Sequence, residues 1–191
     1  MIKNIIVYDF DGTLIKGDSI KLYCKWLSLN LFDFIWIYHF RFRLIKLFKL
    51  KYDLKHERVK YYQKKQLKKK LNINEFNSIL KDHLFEDSLG LIKNDLSNLE
   101  VYVVSASFSE IIESFCVEFL KANLITNNIE DYSTSNDINF KNKITALNSN
   151  IKGEYNIVRG YGNSSGDFDF MNISENAFLR LPNGKNVIWK K

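Results

Sequence analysis

The chain has 191 residues, 46% of them hydrophobic, and a net charge of +6, which is enough for one folded core with an inserted subdomain. Its two cysteines, Cys24 and Cys116, are far apart, which argues against a disulfide framework or a zinc site and favours a reducing compartment. The apolar run before Asp9 is too short for a signal peptide, so we expect a cytoplasmic protein.

Positive charge is concentrated in one part of the chain. Residues 16–86 hold 17 Lys and Arg against 7 Asp and Glu, whereas the remaining residues hold 11 against 15. The same basic segment contains half of the aromatic residues. This asymmetry predicts an acidic frame, residues 1–15 and 88–191, that is interrupted by a basic insert at residues 16–87.

The first predicted elements are one strand and a group of helices. Ile5-Ile6-Val7-Tyr8 predicts a buried strand, and Gly12-Thr13 predicts the turn that ends it. Residues 18–87 contain neither Pro nor Gly and are rich in Leu, Lys, Ile and Phe. This composition predicts that the insert folds as several helices.

From Glu100 onward, predicted strands alternate with predicted helices. The alternation predicts an α/β fold, a Rossmann-like and mostly parallel sheet with helices on both faces, to which the helical insert is added. The predicted strands are "VYVVSAS" (101–107), "LIT" (124–126), "YNIV" (155–158), "AFLRL" (177–181) and "NVIWK" (186–190). The predicted helices are residues 108–122 and "NFKNKITALNS" (139–149).

Polar residues follow several of these strands, and binding sites in such sheets lie at the carboxyl ends of the strands. Asp9 and Asp11 end the first strand, Ser105 follows "VYVV", and a polar loop occupies residues 162–167. Turn chemistry explains an Asp-Gly pair at Asp11. It leaves Asp9 unexplained, because a carboxylate at the end of a buried strand loses solvation without an evident partner.

Four motifs, in chain order, resemble those of the haloacid dehalogenase superfamily. They are "DFDGT" (9–13), Ser105, a lysine within "NFKNK" (139–143) and "GNSSGD" (162–167). The resemblance covers the frame, and it implies that residues 1–15 and 88–191 form the catalytic core. The insert directly after the first motif, residues 16–87, resembles the α-helical type 1 cap of the phosphoserine-phosphatase-like branch.

The resemblance implies a Mg²⁺-dependent phosphomonoester hydrolase. Asp9 is the implied nucleophile that forms an aspartyl-phosphate, and Asp11 is the implied acid for the leaving oxygen and then the base for water. The implied phosphate-binding residues are Gly12, Thr13, Ser105, Ala106 and Lys143. Lys143 is favoured over Lys141 because Ile144 and Leu147 follow it, as expected at the start of a helix, but Lys141 stays an alternative.

The implied Mg²⁺ ligands are Asp9, the backbone carbonyl of Asp11, Asn163 and Asp167. Many relatives have an aspartate where this chain has Asn163, which offers a carbonyl oxygen without charge. We therefore expect weaker metal binding, with Asp167 carrying more of the charge. A catalytically weak or inactive phosphate-binding or regulatory module, and a phosphotransferase with an acceptor other than water, stay open as alternatives.

The substrate is expected to differ from phosphoserine. Asp18 stands where phosphoserine phosphatases place a glutamate that reads the substrate amine, and Ala106 and Ser107 replace two glycines. The hydrophobic, basic cap and the "GNSSGD" loop resemble a subgroup that contains phosphatidylglycerophosphate phosphatases. The expected partner is a phosphorylated small molecule or a phospholipid, and because no base-reading module is visible we expect no nucleic-acid partner.

Residues 26–50 carry charges too often for a membrane span. On a helix, His39, Arg43 and Lys46 share one face. Two interpretations stay open: a cap helix packed on its neighbours with a solvated basic side, or peripheral contact with an anionic membrane at the inner face of the cell membrane. The apolar side chains that share the opposite face are Ile37, Phe40, Leu44 and Leu47.

Overall fold

The computed structural model describes residues 2–41, 54–66, 72–133, 137–138 and 142–189. These residues form one six-stranded sheet with helices packed against it. The strands are β1 (Lys3–Tyr8), β2 (Glu100–Phe108), β3 (Asn123–Asn127), β4 (Tyr155–Gly162), β5 (Asn176–Arg180) and β6 (Asn186–Ile188).

The strand order is β3-β2-β1-β4-β5-β6, with β1 in the interior of the sheet. Each neighbouring pair from β3 to β5 is parallel, and β6 pairs with β5 in the antiparallel direction. The chain thus crosses from one side of β1 to the other between β3 and β4, as in Rossmann-like sheets. This arrangement confirms the predicted α/β fold class.

The helices lie between the strands in sequence, and they include the predicted helical insert and the helix that follows β2. They are α1 (Ser19–Trp26), α2 (Leu31–Phe34) continued by a π-helix (Ile35–Arg41), α3 (Leu54–Gln66), α4 (Ile73–Asp82), α5 (Ser88–Leu96), α6 (Ser109–Glu113) continued by a π-helix (Ser114–Phe119), α7 (Asn142–Asn150) and α8 (Phe168–Ile173), which follows a 3₁₀ turn (Ser165–Asp167). The first residues of the predicted helix 139–149, Lys141 among them, lie outside the described residues.

Both faces of the sheet are covered, because side chains alternate along β1. Ile6 and Tyr8 belong to one hydrophobic cluster, which also contains side chains of α1, α5 and α6. Ile5 and Val7 belong to a second cluster with side chains of α7 and α8. The buried Tyr8 ring stacks on Tyr161 of β4, with 4.4 Å between ring centroids, so the end of β1 that leads into Asp9 is fully packed.

The chain leaves the sheet after β1 and returns to it just before α5. At the crossing point the backbone N–H of Lys16 donates to the His83 carbonyl at 2.6 Å, and the N–H of Phe85 donates to the Leu14 carbonyl at 3.0 Å. Helices α1 to α4 lie within this excursion. The division into a core, 1–15 and 88–191, and a cap, 16–87, stays a prediction.

The predicted amphipathic helix over 26–50 is interrupted. Trp26 ends α1, and Asn30 caps a new helix by accepting a hydrogen bond from the N–H of Asp33 at 2.8 Å. Ile37, on the apolar face for which two interpretations were open, is buried in the core, as expected if that face packs on neighbouring elements. Arg43, Leu44, Lys46 and Leu47, together with the side chain of Phe40, lie outside the described residues.

Among the described helices, none is both long and apolar enough to cross a lipid bilayer.

Candidate active site

The predicted site residues come together at the carboxyl edge of β1, β2 and β4, around the point where the strand order reverses. Asp9 directly follows β1, and its backbone N–H donates to the Tyr161 carbonyl of β4 at 2.8 Å. Ser105 is buried within β2, which runs on to Phe108, and the β2–β3 register shifts just beyond it. The Ser105 hydroxyl accepts a hydrogen bond from the Ser107 N–H at 3.1 Å.

Lys143, in the first turn of α7, joins two of the predicted carboxylates. Its Nζ donates to Asp9 Oδ1 at 2.6 Å and to Asp167 Oδ1 at 2.7 Å. All three side chains are at most 9% exposed. Buried charges persist when they are paired and hydrogen-bonded, so this three-residue ion cluster fixes β1, α7 and the 3₁₀ turn against each other. Lys141, the alternative, lies outside the described residues.

The cluster also sets the ionisation of its members. Burial raises the pKa of Asp9 to about 6, while the Lys143 ammonium opposes this rise and the Asp167 carboxylate adds to it. Burial alone would lower the pKa of Lys143, but the two carboxylates raise it above its ordinary value. Asp9 is therefore ionised and Lys143 is charged at neutral pH.

The loop after β1 orients the second oxygen of Asp9. Its Oδ2 accepts a hydrogen bond from the Thr13 hydroxyl at 3.0 Å. The loop turns at Gly12, whose φ of +76° is strained for any other residue. A Cβ atom at Gly12 would lie 2.0 Å from Nδ2 of Asn163. The first and last motifs are thus in direct contact, and only glycine allows this approach.

Asp11 is held by residues that sequence reasoning did not identify. The Ser19 N–H donates to Asp11 Oδ1 at 2.7 Å, the Ser19 hydroxyl lies 3.1 Å from Oδ2, and the Ser107 hydroxyl lies 2.8 Å from that of Ser19. Burial and then the negative charges of Asp18 and Asp9 raise the pKa of Asp11 to about 8, although the two bonds from Ser19 lower it. These effects favour the protonated form of Asp11 at neutral pH.

The last motif folds around the Asp167 carboxylate. Its Oδ2 accepts hydrogen bonds from the N–H groups of Asn163 and Ser164, both at 3.0 Å, and from the Ser164 hydroxyl at 3.1 Å. A Cβ atom at Gly162 would lie 2.4 Å from Cβ of Asp167. The loop therefore wraps closely around one carboxylate, whose other oxygen faces Lys143.

The predicted metal ligands fit a hard cation by their chemistry. Asp9 and Asp167 supply carboxylate oxygens beside one ammonium nitrogen, and the Asn163 amide packs on Gly12, next to Asp11. Mg²⁺ is often held by one or two carboxylates with neutral oxygens and water. In the part of the chain that the structure describes, no group of three His, Cys, Asp or Glu side chains could hold a metal by itself, so neutral oxygens would have to complete the site.

A cleft of about 260 Å³ opens beside Asp11, between the sheet edge and the insert helices. Asp18 lines it and caps α1 by accepting a hydrogen bond from the Lys21 N–H at 2.8 Å. Two cations of α3, Lys55 and Arg58, also line it, so the cleft carries charges of both signs. Its other lining residues are Ile20, Tyr38, Ala106 and Asp137.

Arg180, at the end of β5, is a further residue that sequence reasoning did not identify. It is 2% exposed, its Nε donates to the Thr13 carbonyl at 3.1 Å, and its Nη1 donates to both Asp87 oxygens at 2.8 and 2.9 Å. The same guanidinium donates to the Gly184 carbonyl and stacks over the Phe85 ring. Arg180 therefore ties the Asp9 loop to the point where the insert returns to the sheet.

Residues 6–172 match the model of a family described as haloacid dehalogenase-like hydrolase. A comparison with curated protein sequences gives no match.

Solved structures share the fold. A protein of unknown function from Bordetella pertussis Tohama I has a TM-score of 0.64 and 11% identity, covering 93% of this chain and 89% of that chain. An apo phosphoserine phosphatase has a TM-score of 0.53 and 17% identity, covering 93% and 85%. A phospho-aspartyl intermediate analogue of phosphoserine phosphatase has a TM-score of 0.50 and 17% identity, covering 93% and 86%. At sequence identities this low, the structural similarity establishes that the chain shares the fold of these proteins.

The Arg180 contacts predict a large stability effect. Arg180→Met leaves the Thr13 and Gly184 carbonyls without this donor and Asp87 without its cation, so we expect the free energy of unfolding to fall by about 3 kcal/mol. We expect a loss of stability at the lower end of the range measured for broken buried ion pairs, because the Asp87 side chain is 48% exposed and can be solvated when its partner is removed. Lys185→Met, which removes an exposed cation from the same hairpin, is the matched control. Equal urea midpoints for both variants would contradict the assignment.

Proposed function

Because the chain belongs to the haloacid dehalogenase-like hydrolase family, we propose that it is a phosphatase that hydrolyses phosphomonoesters through an aspartyl-phosphate on Asp9. The observation that carries the proposal is the buried cluster of Asp9, Lys143 and Asp167, with Asp11, whose pKa is raised by burial, two positions after Asp9. An ionised nucleophile next to a fixed cation and a separate acid are the groups that phosphoryl transfer needs.

In the first step, a carboxylate oxygen of Asp9 attacks phosphorus as the bond to the leaving oxygen breaks. Asp11 donates its proton to that leaving oxygen. Lys143 and Thr13 hold the Asp9 carboxylate in one orientation, so the attacking oxygen does not have to be ordered in the transition state. Ser105, buried at the same edge of the sheet, is the proposed hydroxyl donor to a phosphoryl oxygen.

In the second step, Asp11, now a carboxylate, takes a proton from a water molecule whose oxygen attacks phosphorus. The bond between phosphorus and Asp9 breaks, inorganic phosphate leaves, and both aspartates return to their starting protonation. Ser19 keeps the Asp11 carboxyl group in one orientation through both steps, because its N–H and hydroxyl form hydrogen bonds with the two carboxyl oxygens. Lys143 remains charged beside the phosphoryl group throughout.

Mg²⁺ is the proposed cofactor, with Asp9, the Asp11 carbonyl, Asn163 and Asp167 as the residues that would hold it. When bound, it supplies positive charge that offsets the charges of Asp9 and the phosphoryl group. The neutral Asn163 amide leaves Asp167 as the acid of the last motif. We expect a correspondingly higher Mg²⁺ requirement than a site with an additional carboxylate would show.

The cleft supports a small polar group next to the scissile phosphate. Lys55 Nζ lies 3.3 Å from Asp137 Oδ1, and the Arg58 guanidinium lies 4.1 Å from the centroid of the Tyr38 ring. Together with Asp18, these cations favour a substrate that carries further polar or charged groups. A space of about 260 Å³ suits a metabolite or a lipid head group, and acyl chains would have to remain outside it.

The first test is phosphate release in the presence of Mg²⁺. We expect turnover of at least one ester in a panel of soluble alkyl phosphates and phosphatidylglycerophosphate, and a loss of about 10³-fold or more in Asp9→Asn, because the amide is a far weaker nucleophile. Asp169→Asn, on α8 outside the cluster, is the matched control and should keep its activity. Full activity in Asp9→Asn would disprove the proposed nucleophile.

The raised pKa values of Asp9 and Asp11 predict a bell-shaped pH profile of kcat/KM for the hydrolysis of an alkyl phosphate. As the pH falls through about 6, Asp9 is protonated and can no longer attack. As the pH rises through about 8, Asp11 loses the proton that it donates. Ser19→Ala removes a hydroxyl donor that stabilises ionised Asp11, so the alkaline limb of kcat/KM should move to higher pH. A limb that stays in place, or moves to lower pH, would argue against Asp11 as the acid.

A further inference from the structure

Five large apolar side chains between residues 29 and 36 are exposed to solvent. This set, called here the apolar patch, lies on α2, on the start of the π-helix that continues it, and on the turn before them. Its members and their exposed fractions are Leu29 64%, Leu31 64%, Phe32 77%, Ile35 39% and Trp36 53%. Single exposed apolar residues are ordinary on protein surfaces, whereas a contiguous group marks an interaction surface.

The opposite side of the same helix packs into the protein. Phe34 and Ile37 are 5% and 4% exposed, and both belong to the hydrophobic core. The Phe34 ring stacks on Tyr38 with 5.1 Å between centroids, and Tyr38 lines the active-site cleft. The helix is therefore held by its buried side, presents the apolar patch outward, and forms part of the cleft wall.

The sequence that flanks the apolar patch is rich in basic residues, which favours an anionic partner. The segment 16–86 has ten more basic than acidic residues. Lys25 and Arg41, which flank the patch in sequence, are exposed. The next ten residues in the sequence, 42–51, hold four Lys or Arg and no Asp or Glu. The one acid inside the patch segment, Asp33, accepts a hydrogen bond from the Leu29 N–H at 3.1 Å.

We propose that the apolar patch docks on the surface of an anionic lipid membrane. Tryptophan, phenylalanine and leucine on a helix with basic flanks are the combination that inserts at the level of lipid head groups, while lysine and arginine bind the anionic phosphates. Tyr38, which lines the cleft, lies in the same π-helix as the patch residues Ile35 and Trp36, so docking would involve an element that forms part of the cleft. The binding itself does not depend on the proposed hydrolase reaction.

The test is sedimentation with vesicles that contain equal parts of phosphatidylglycerol and phosphatidylcholine. The wild-type protein should sediment with these vesicles, less with phosphatidylcholine alone, and less as salt is raised. Phe32→Ser combined with Trp36→Ser should weaken binding by about tenfold or more, because two large apolar groups no longer enter the lipid. The matched control is Ile173→Ser combined with Ile188→Ser, which removes two exposed apolar side chains elsewhere and should bind as the wild type does.

Thermal unfolding and turnover of a soluble ester show whether each variant keeps its fold. Phe32→Ser alone, at the most exposed position of the apolar patch, gives a second variant if the double one is unstable, and it should also bind less. Failure of the wild type to sediment, or equal binding by the patch variants and the control pair, would overturn the proposal. So would a wild-type dimer in lipid-free sedimentation velocity that the patch variants abolish, since a second copy would then cover this surface.

Discussion

The ammonium of Lys143 between the carboxylates of Asp9 and Asp167 is the interaction on which the site depends. Two buried carboxylates that bind the same ammonium group repel each other, and both have lost solvation. Neither therefore stays ionised without an enclosed cation. Lys143 reaches them from α7, which packs on one face of the sheet, and both acids lie at the sheet's carboxyl edge. The fold thus places Asp9 where it is both buried and paired with a cation, as the proposed role of nucleophile requires.

A second set of contacts lies where the chain leaves the sheet after β1 and returns before α5. Arg180 holds the Thr13 carbonyl there, and the Thr13 hydroxyl in turn bonds Asp9. On the other side, Ser19 of α1 bonds Asp11. Asp9 therefore receives a hydrogen bond from Thr13, which Arg180 holds in place, and Asp11 receives hydrogen bonds from the first helix after the loop.

The fold class could be predicted from the sequence because short apolar runs such as Ile5–Tyr8 indicate buried strands. The order of strands and helices along the chain then leaves few possible topologies. Asp9, Asp11, Lys143 and Asp167 were predicted as a group because each stands in a recognisable motif. Ser19, Ser107 and Arg180 were not, because a serine pair 88 positions apart and an arginine 167 positions from its partner carry no local pattern. Helical periodicity marked Ile37 as apolar, but only packing decides that it faces the core and Trp36 the solvent.

The most direct measurement is to trap the phosphoenzyme. The protein is mixed with Mg²⁺ and p-nitrophenyl phosphate, quenched with acid, and analysed by mass spectrometry of its peptides. We predict one phosphoryl group on the peptide that contains Asp9, removable by hydroxylamine, absent in Asp9→Asn, and more abundant in Asp11→Asn because the base for the second step is missing. Turnover without any phosphoenzyme in the wild type and in Asp11→Asn, or a phosphoryl group on another residue, would contradict the role of the Lys143-bound carboxylate.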